Sequence, residues 1–226
     1  MKAQSTENKD IKKGQRQDME NIRNAFPAGG KFILGITGGV GSGKSRVLEI
    51  LKEEYGFRVI QADQVAKDLM QPGQESYRAV VDFLGPSILN EDGTINRPAM
   101  AQVIFGCPDK RIQVDRLTHP LVWNTAFGEA LACPEPLVVI EAAIPSKEFR
   151  DNCGEMWYVY TSRENRMERL RESRGYTREK TESIMDSQAP EAGFREFSDA
   201  VIDNNGSVED TRKQIRRLLE NKIRMQ

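Results

Sequence analysis

Short apolar runs recur along the chain, separated by stretches of amphipathic or charged sequence. Phe32-Ile33-Leu34-Gly35-Ile36, Arg58-Val59-Ile60, Leu137-Val138-Val139-Ile140, Met156-Trp157-Tyr158-Val159-Tyr160 and Ala200-Val201-Ile202 are too short for buried helices. Their near-continuous apolarity is that of strands covered on both faces. Between them the period changes. Val47, Leu48, Ile50 and Leu51 predict a helix over 45–55, and Val65, Ala66, Leu69 and Met70 predict another that Gln71-Pro72-Gly73 stops. Ser207 is placed to cap a final helix with Val208, Ile215, Leu218 and Leu219 inward. From 74 to 130 there is no strand pattern. Tyr77, Val80, Val81 and Leu84 make one amphipathic stretch, Met100, Val103, Ile104 and Phe105 a second, and Leu117, Leu121, Val122 and Phe127 a third, with breaks at Gly85-Pro86 and Asp92-Gly93. A charged helical region occupies 163–188. Strands alternating with helices predict an α/β fold with a doubly wound parallel sheet, beside which 64–130 forms a helical insertion. Residues 1–30 are polar and end in Pro27-Ala28-Gly29-Gly30; they read as a flexible extension before a domain over 31–226.

In such sheets ligands bind at the carboxyl ends of the strands, and the first strand ends in candidate chemistry. Gly38-Gly39-Val40-Gly41-Ser42-Gly43-Lys44-Ser45 is G-x-x-x-x-G-K-S, directly after a strand and before a helix. That is the context a phosphate-binding P-loop needs. Glycines let the backbone curl so that successive N–H groups face phosphate oxygens, and the helix adds its positive end. Lys44 is expected to reach the β- and γ-phosphates of ATP, and Ser45 to ligate Mg²⁺.

Other residues carry a functional and a structural reading side by side. Asp63, just past the second strand, is either a base that accepts the proton of an acceptor hydroxyl or a helix cap. Arg163, Arg166, Arg169, Arg171, Arg174 and Arg178 are either a lid that neutralises a transferring phosphoryl or a solvated helix face paired with Glu164, Glu168 and Glu172. Arg163, Arg166 and Arg169 recur every third residue and are expected to share a face. Glu141, at the end of the central strand, is a candidate ligand to Mg²⁺-bound water or a strand-end carboxylate without special role. His119, the sole histidine, sits in Thr118-His119-Pro120 and reads as a structural hydrogen-bonder or a substrate contact. Arg97 is either surface or a contact to an anionic substrate. Trp123 and Phe127 read as core.

Composition narrows the classes. The chain has 226 residues, 38% hydrophobic and 30% charged, with a formal net charge of −1. That supports a core under a solvated surface and gives no bulk attraction to nucleic acid or anionic lipid. No apolar run approaches a membrane span, and no apolar segment near the N-terminus resembles a secretory signal. Cys107, Cys133 and Cys153 are odd in number and far apart, so reduced structural thiols and a cytoplasmic protein are expected. No D-x-x-G follows the Leu137–Ile140 strand directly and the chain has no N-K-x-D, which disfavours a nucleotide-dependent switch; another small-molecule kinase, for a nucleoside or nucleotide, is the enzymatic rival.

These segments together resemble the dephospho-coenzyme A kinases, collinearly from about Ile33 to the last helix. Ile36-Thr37 with the P-loop, Val59-Ile60-Gln61-Ala62-Asp63, Asp92-Gly93-Thr94-Ile95-Asn96-Arg97, Thr118-His119-Pro120-Leu121-Val122 and Ser198-Asp199-Ala200-Val201-Ile202-Asp203-Asn204-Asn205-Gly206 are the matching segments. The P-loop is generic; the later segments in this order are specific. The resemblance implies a P-loop NTPase fold with a coenzyme-binding insertion and an arginine-rich lid over 163–190. It implies ATP-dependent phosphorylation of the ribose 3′-hydroxyl of dephospho-coenzyme A, the last step of coenzyme A biosynthesis, by a monomer or small homo-oligomer. Asp63 then matches the catalytic base, Arg169 a lid arginine on the phosphate, and Lys44 and Ser45 the phosphate and Mg²⁺ residues. Arg97 and His119 fall in the coenzyme-binding insertion, and Asn204 and Asn205 in the adenine-contacting turn. Departures from the pattern are Gln61 for the first aspartate of D-A-D, Arg46 for the usual threonine of the nucleotide loop, Ser146 in the segment after the central strand, and Ser173 for a lid arginine.

Overall fold

The computed structural model describes residues 30–224. The extension expected over 1–30 therefore lies, but for its last residue, outside the described residues. Strands β1 (Phe32–Thr37), β2 (Arg58–Gln61), β3 (Leu137–Ala142), β4 (Glu155–Tyr160) and β5 (Ala200–Asp203) form a sheet in the order β2-β3-β1-β4-β5. Three of the pairings run parallel in register: Phe32 opposite Leu137, Leu34 opposite Glu155 and Trp157 opposite Ala200. β1 is thus central, and all six of its residues are buried. A strand covered on both faces cannot alternate, which is why its sequence is an unbroken apolar run.

The described residues divide into two compact units, 30–59 with 133–224, and 60–132. In the first, alternate strand residues Leu34, Ile36, Leu137, Val139, Trp157, Val159 and Ile202 build one core. Helix α1 (Lys44–Tyr55) packs Val47, Leu48 and Leu51 into it, and the C-terminal helix, residues Val208–Arg224, adds Ile215 and Leu219. Truncating a fully buried Leu or Ile of this kind costs about 2–5 kcal/mol. On the other face Gly35 leaves space for Cys153 and Phe149, whose side chains lie 3.0 and 3.2 Å from where a Cβ would stand. Burial pushes the Cys153 thiol up to about 12, so it stays protonated and inert.

Val208 departs from expectation. It lies on the same helical stripe as Ile215 but in the first turn, and it is 38% exposed. Sharing a stripe fixes direction, not depth. Ser207 does cap the helix: its Oγ accepts from the Asp210 amide at 3.2 Å and donates to Asp210 Oδ2 at 2.7 Å, a reciprocal capping arrangement.

The second unit is helical. It holds α2 (Ala62–Leu69), α3 (Glu75–Leu84), a 3₁₀ turn at Pro86–Ile88, α4 (Arg97–Phe105) and α5 (Pro108–Ala132). Its core is small: Val80, Ile88 and Val114, with partly buried residues around them. Pro120 lies inside α5 and cannot donate to the turn before it. No helix among the described residues is long and apolar enough to cross a membrane.

The charged region 163–188 is not one helix. Back in the first unit, after the short α6 (Lys147–Asp151), it forms α7 (Arg163–Arg174) and α8 (Arg178–Asp186), with α9 (Glu191–Glu196) beyond; the C-terminal helix is α10. Gly175, at φ 62°, ends α7 in the left-handed conformation, and its N–H bonds back to Arg171 O at 3.0 Å.

Candidate active site

The loop between β1 and α1 is where the first unit concentrates its polar groups. Ser42 N–H bonds Gly39 O at 3.1 Å, which closes the curl. Gly43 caps α1 at φ 88°, and a Cβ there would collide with the Asn204 amide, so only glycine serves. The Ser42 carbonyl receives Asn204 Nδ2 at 2.8 Å, Thr161 Oγ1 at 2.9 Å and Arg169 Nη1 at 3.4 Å. Holding that carbonyl on the protein side leaves the amide edge of the loop for an anion. The first turn of α1 contains no acidic residue, so the positive helix end is not cancelled.

Lys44 lies over this loop. Its Nζ donates to Gly38 O at 2.8 Å and stands 3.4 Å from Glu141 Oε1, both side chains mostly buried at 14% and 8% exposure. Glu141, foreseen as a metal residue, is therefore beside the P-loop lysine. Ser45, in the first turn of α1, is exposed. Arg46 is turned aside: its guanidinium bonds Glu49 Oε2 at 2.5 Å on the exposed side of α1, while its amide bonds Gly43 O at 3.0 Å.

Two arginines of α7 reach the loop. Arg169 Nη2 donates to Asn204 O at 2.6 Å and Nη1 lies 3.3 Å from Thr161 Oγ1. Arg166 Nε donates to Val40 O at 2.8 Å, and its Nη2 donates to Gln188 Oε1 at 2.8 Å. Burial lowers the Arg166 pKa from its usual value. Arg163 does not join them; it pairs with Asp186 of α8 at 2.9 Å. Residues spaced by three drift about 60° per step around a helix, so Arg163 and Arg169 cannot share one face.

Asn205 works beside Asn204. Its Oδ1 accepts from Ser162 N and Asn165 Nδ2, each at 2.9 Å, and its Nδ2 donates to Asp203 Oδ1 at 2.6 Å. Asn204 itself is buried, with Thr211 Oγ1 donating to its Oδ1 at 2.9 Å. Both asparagine side chains are engaged in bracing the loop and the start of α7. The family resemblance implies adenine contact for them and carries no sign of the bracing. Thr161 and Gln188 were not foreseen either, and only Arg166, as a member of the arginine series, carried a signal.

Asp63, Arg97 and His119 all lie in the helical unit. Asp63 is exposed in the first turn of α2, but the cap position is Gln61, so the capping reading of Asp63 does not hold. Arg97 is exposed at the start of α4, one residue after the cap Asn96, whose Oδ1 accepts from Ala99 N at 3.0 Å. His119 is half exposed in α5, 3.8 Å from Asp115. Each is accessible and none serves the small core.

A parallel sheet, a glycine-rich phosphate loop leading into α1 and unneutralised arginines over that loop define a P-loop kinase. A solved structure from Thermus thermophilus, described as TT1252, superposes with a TM-score of 0.71 at 25% identity, covering 85% of this chain and 98% of that one. The model of the family described as "Dephospho-CoA kinase" matches residues 32–210. The dephospho-CoA kinase of Streptococcus mutans is 36% identical over 186 residues, covering 81% of this chain and 93% of that protein. That of Carboxydothermus hydrogenoformans is 35% identical over 197 residues, covering 83% and 93%. The chain belongs to the dephospho-CoA kinase family.

Proposed function

We propose that this chain transfers the γ-phosphoryl group of ATP to the ribose 3′-hydroxyl of dephospho-coenzyme A, giving ADP and coenzyme A, in the cytoplasm. The observation that carries the reading is the pair Arg166 and Arg169, held by neutral acceptors over the P-loop in a chain of this family. In such transfers the protein supplies mainly position and charge. Lys44 exchanges the Gly38 carbonyl for phosphate oxygens when nucleotide enters, and Arg169 neutralises charge that develops on the equatorial oxygens. Asp63 accepts the proton of the attacking 3′-hydroxyl as its oxygen bonds phosphorus and the bond from phosphorus to ADP breaks. Arg97 and His119 contact the coenzyme, and the turn at Asn204–Asn205 meets the adenine.

The donor set fits Mg²⁺. Ser45 and Glu141 offer hard oxygens, and no group of three or more acidic, histidine or cysteine side chains among the described residues forms a protein cage. That suits an ion held by one or two side chains plus substrate phosphates. When bound, Mg²⁺ would neutralise phosphate charge, and Ser45 and Glu141 are the residues that would hold it.

Coupled ADP release with dephospho-coenzyme A, measured beside a panel of nucleosides and nucleotides, tests the proposal. Release stimulated by dephospho-coenzyme A above every other acceptor is expected; stimulation by a nucleoside instead overturns it. Asp63→Asn should keep ATP affinity and lower turnover by roughly 10²–10⁴-fold, the span for a positioned base. Turnover retained in that variant removes Asp63 from the mechanism.

A further inference from the structure

Val40, at the tip of the P-loop, has both of its backbone polar groups claimed by side chains. Its carbonyl accepts from Arg166 Nε at 2.8 Å, and its N–H donates to Gln188 Oε1 at 3.0 Å. The same Gln188 oxygen accepts from Arg166 Nη2 at 2.8 Å, so three residues close a ring. Gln188 lies in the short connection between α8 and α9, held by its own N–H to Met185 O at 3.2 Å, with Met185 buried. The ring ties that connection, α7 and the phosphate loop to one another. It also presses the guanidinium onto Gly39: a Cβ there would stand 2.7 Å from Arg166 Cζ and 3.0 Å from Nη1.

What matters is the kind of acceptor. Among the described residues Arg166 has no carboxylate partner, although it is partly desolvated. A carboxylate at 188 would accept the same two hydrogen bonds more strongly, but it would cancel the arginine's charge. A neutral carboxamide oxygen fixes the fork and leaves the charge standing. An unneutralised, half-buried guanidinium on a phosphate loop has an evident anionic counterpart in the terminal phosphate of ATP.

We propose, building on the kinase reading above, that Gln188 is a positioning residue. It orients Arg166 on Gly39–Val40 with a neutral acceptor, so that the arginine's charge acts on the terminal phosphate. Gln188 itself touches no substrate; it acts through Arg166.

Gln188→Glu and Gln188→Ala, each in the wild-type and Arg166→Ala backgrounds, test this. The readouts are kcat and both KM values, ATP and ADP affinity by calorimetry, and Tm. Gln188→Glu is expected to keep Tm, because both hydrogen bonds survive. It should lower kcat about 10- to 100-fold, the range over which partners that orient an acting group work, with KM for dephospho-coenzyme A unchanged. Gln188→Ala should lower kcat similarly, and neither substitution should reduce kcat further once Arg166 is alanine. ATP affinity should fall more than ADP affinity. Wild-type kcat in Gln188→Glu, or an equal loss from Gln188→Ala with and without Arg166, overturns the proposal. If the unaltered protein does not phosphorylate dephospho-coenzyme A, the kinase reading fails by itself, and the ATP-against-ADP affinities still decide the role of Gln188.

Discussion

The two faces of α7 carry the same residue type to different ends. On the outer face Arg171 pairs with Glu168 on its own helix, and Arg163 pairs with Asp186 of α8. On the inner face Arg166 and Arg169 bond, among the described residues, only neutral groups: the Val40, Ser42 and Asn204 carbonyls, the Gln188 carboxamide and the Thr161 hydroxyl. A carboxylate partner both orients an arginine and cancels its charge; a carbonyl orients it and leaves the charge available. The acceptor, more than the presence of arginine, separates a lid residue from a surface ion pair. Exposed pairs of the outer kind contribute little to stability, with a median of about 0–1 kcal/mol.

That contrast can be broken in graded steps. Arg169→Ala should have the largest effect, lowering kcat by about 10²–10³-fold, the usual loss for removing one donor to developing charge. ATP affinity should fall much less, and a rapid-quench rate at saturating ATP and dephospho-coenzyme A checks it. Gly39→Ala comes next. The three atoms nearest the new Cβ all belong to the far end of the flexible Arg166 side chain, and Gly39 has no left-handed φ, so the fold should stand while Arg166 is displaced. A kcat loss of about 10- to 100-fold, matching Arg166→Ala, with Tm little changed is expected. A large Tm loss with kcat intact would instead make Arg166 a structural clamp. Arg163→Ala and Arg171→Ala should do least: kcat within about twofold and stability within about 0.5 kcal/mol by urea titration. If Arg171→Ala matched Arg169→Ala, the two faces would not differ in function.

The contrast also marks what the sequence could and could not reveal. The strands and the phosphate loop were legible because their signals are local: continuous apolar runs, fixed glycine spacing and a strand-to-helix context. The arginine density was legible, but not its sorting. Which arginines face the loop depends on the exit angle of α7, and the three-residue spacing suggested a common face that helical geometry does not give. Gly175 splits the charged region, a break hidden by continuous polarity on either side. Gln188 left no trace, since its role arises only when the connection after α8 folds against Val40. Asn204 pointed to a nucleotide-contacting turn, while its bond to Ser42 O, across a long stretch of chain, is tertiary. Asp63 was singled out by its place after β2; the structure removes the capping alternative because Gln61 occupies that position.

The central claim is a transfer of phosphorus to one particular oxygen, and phosphorus resonance reads it most directly. The unaltered protein, incubated with ATP, Mg²⁺ and dephospho-coenzyme A, should convert the γ-phosphate signal into a new phosphomonoester signal, assigned to the ribose 3′-oxygen and formed one for one with ADP. Appearance of inorganic phosphate in place of that ester, or an ester on a different acceptor atom, would contradict the account.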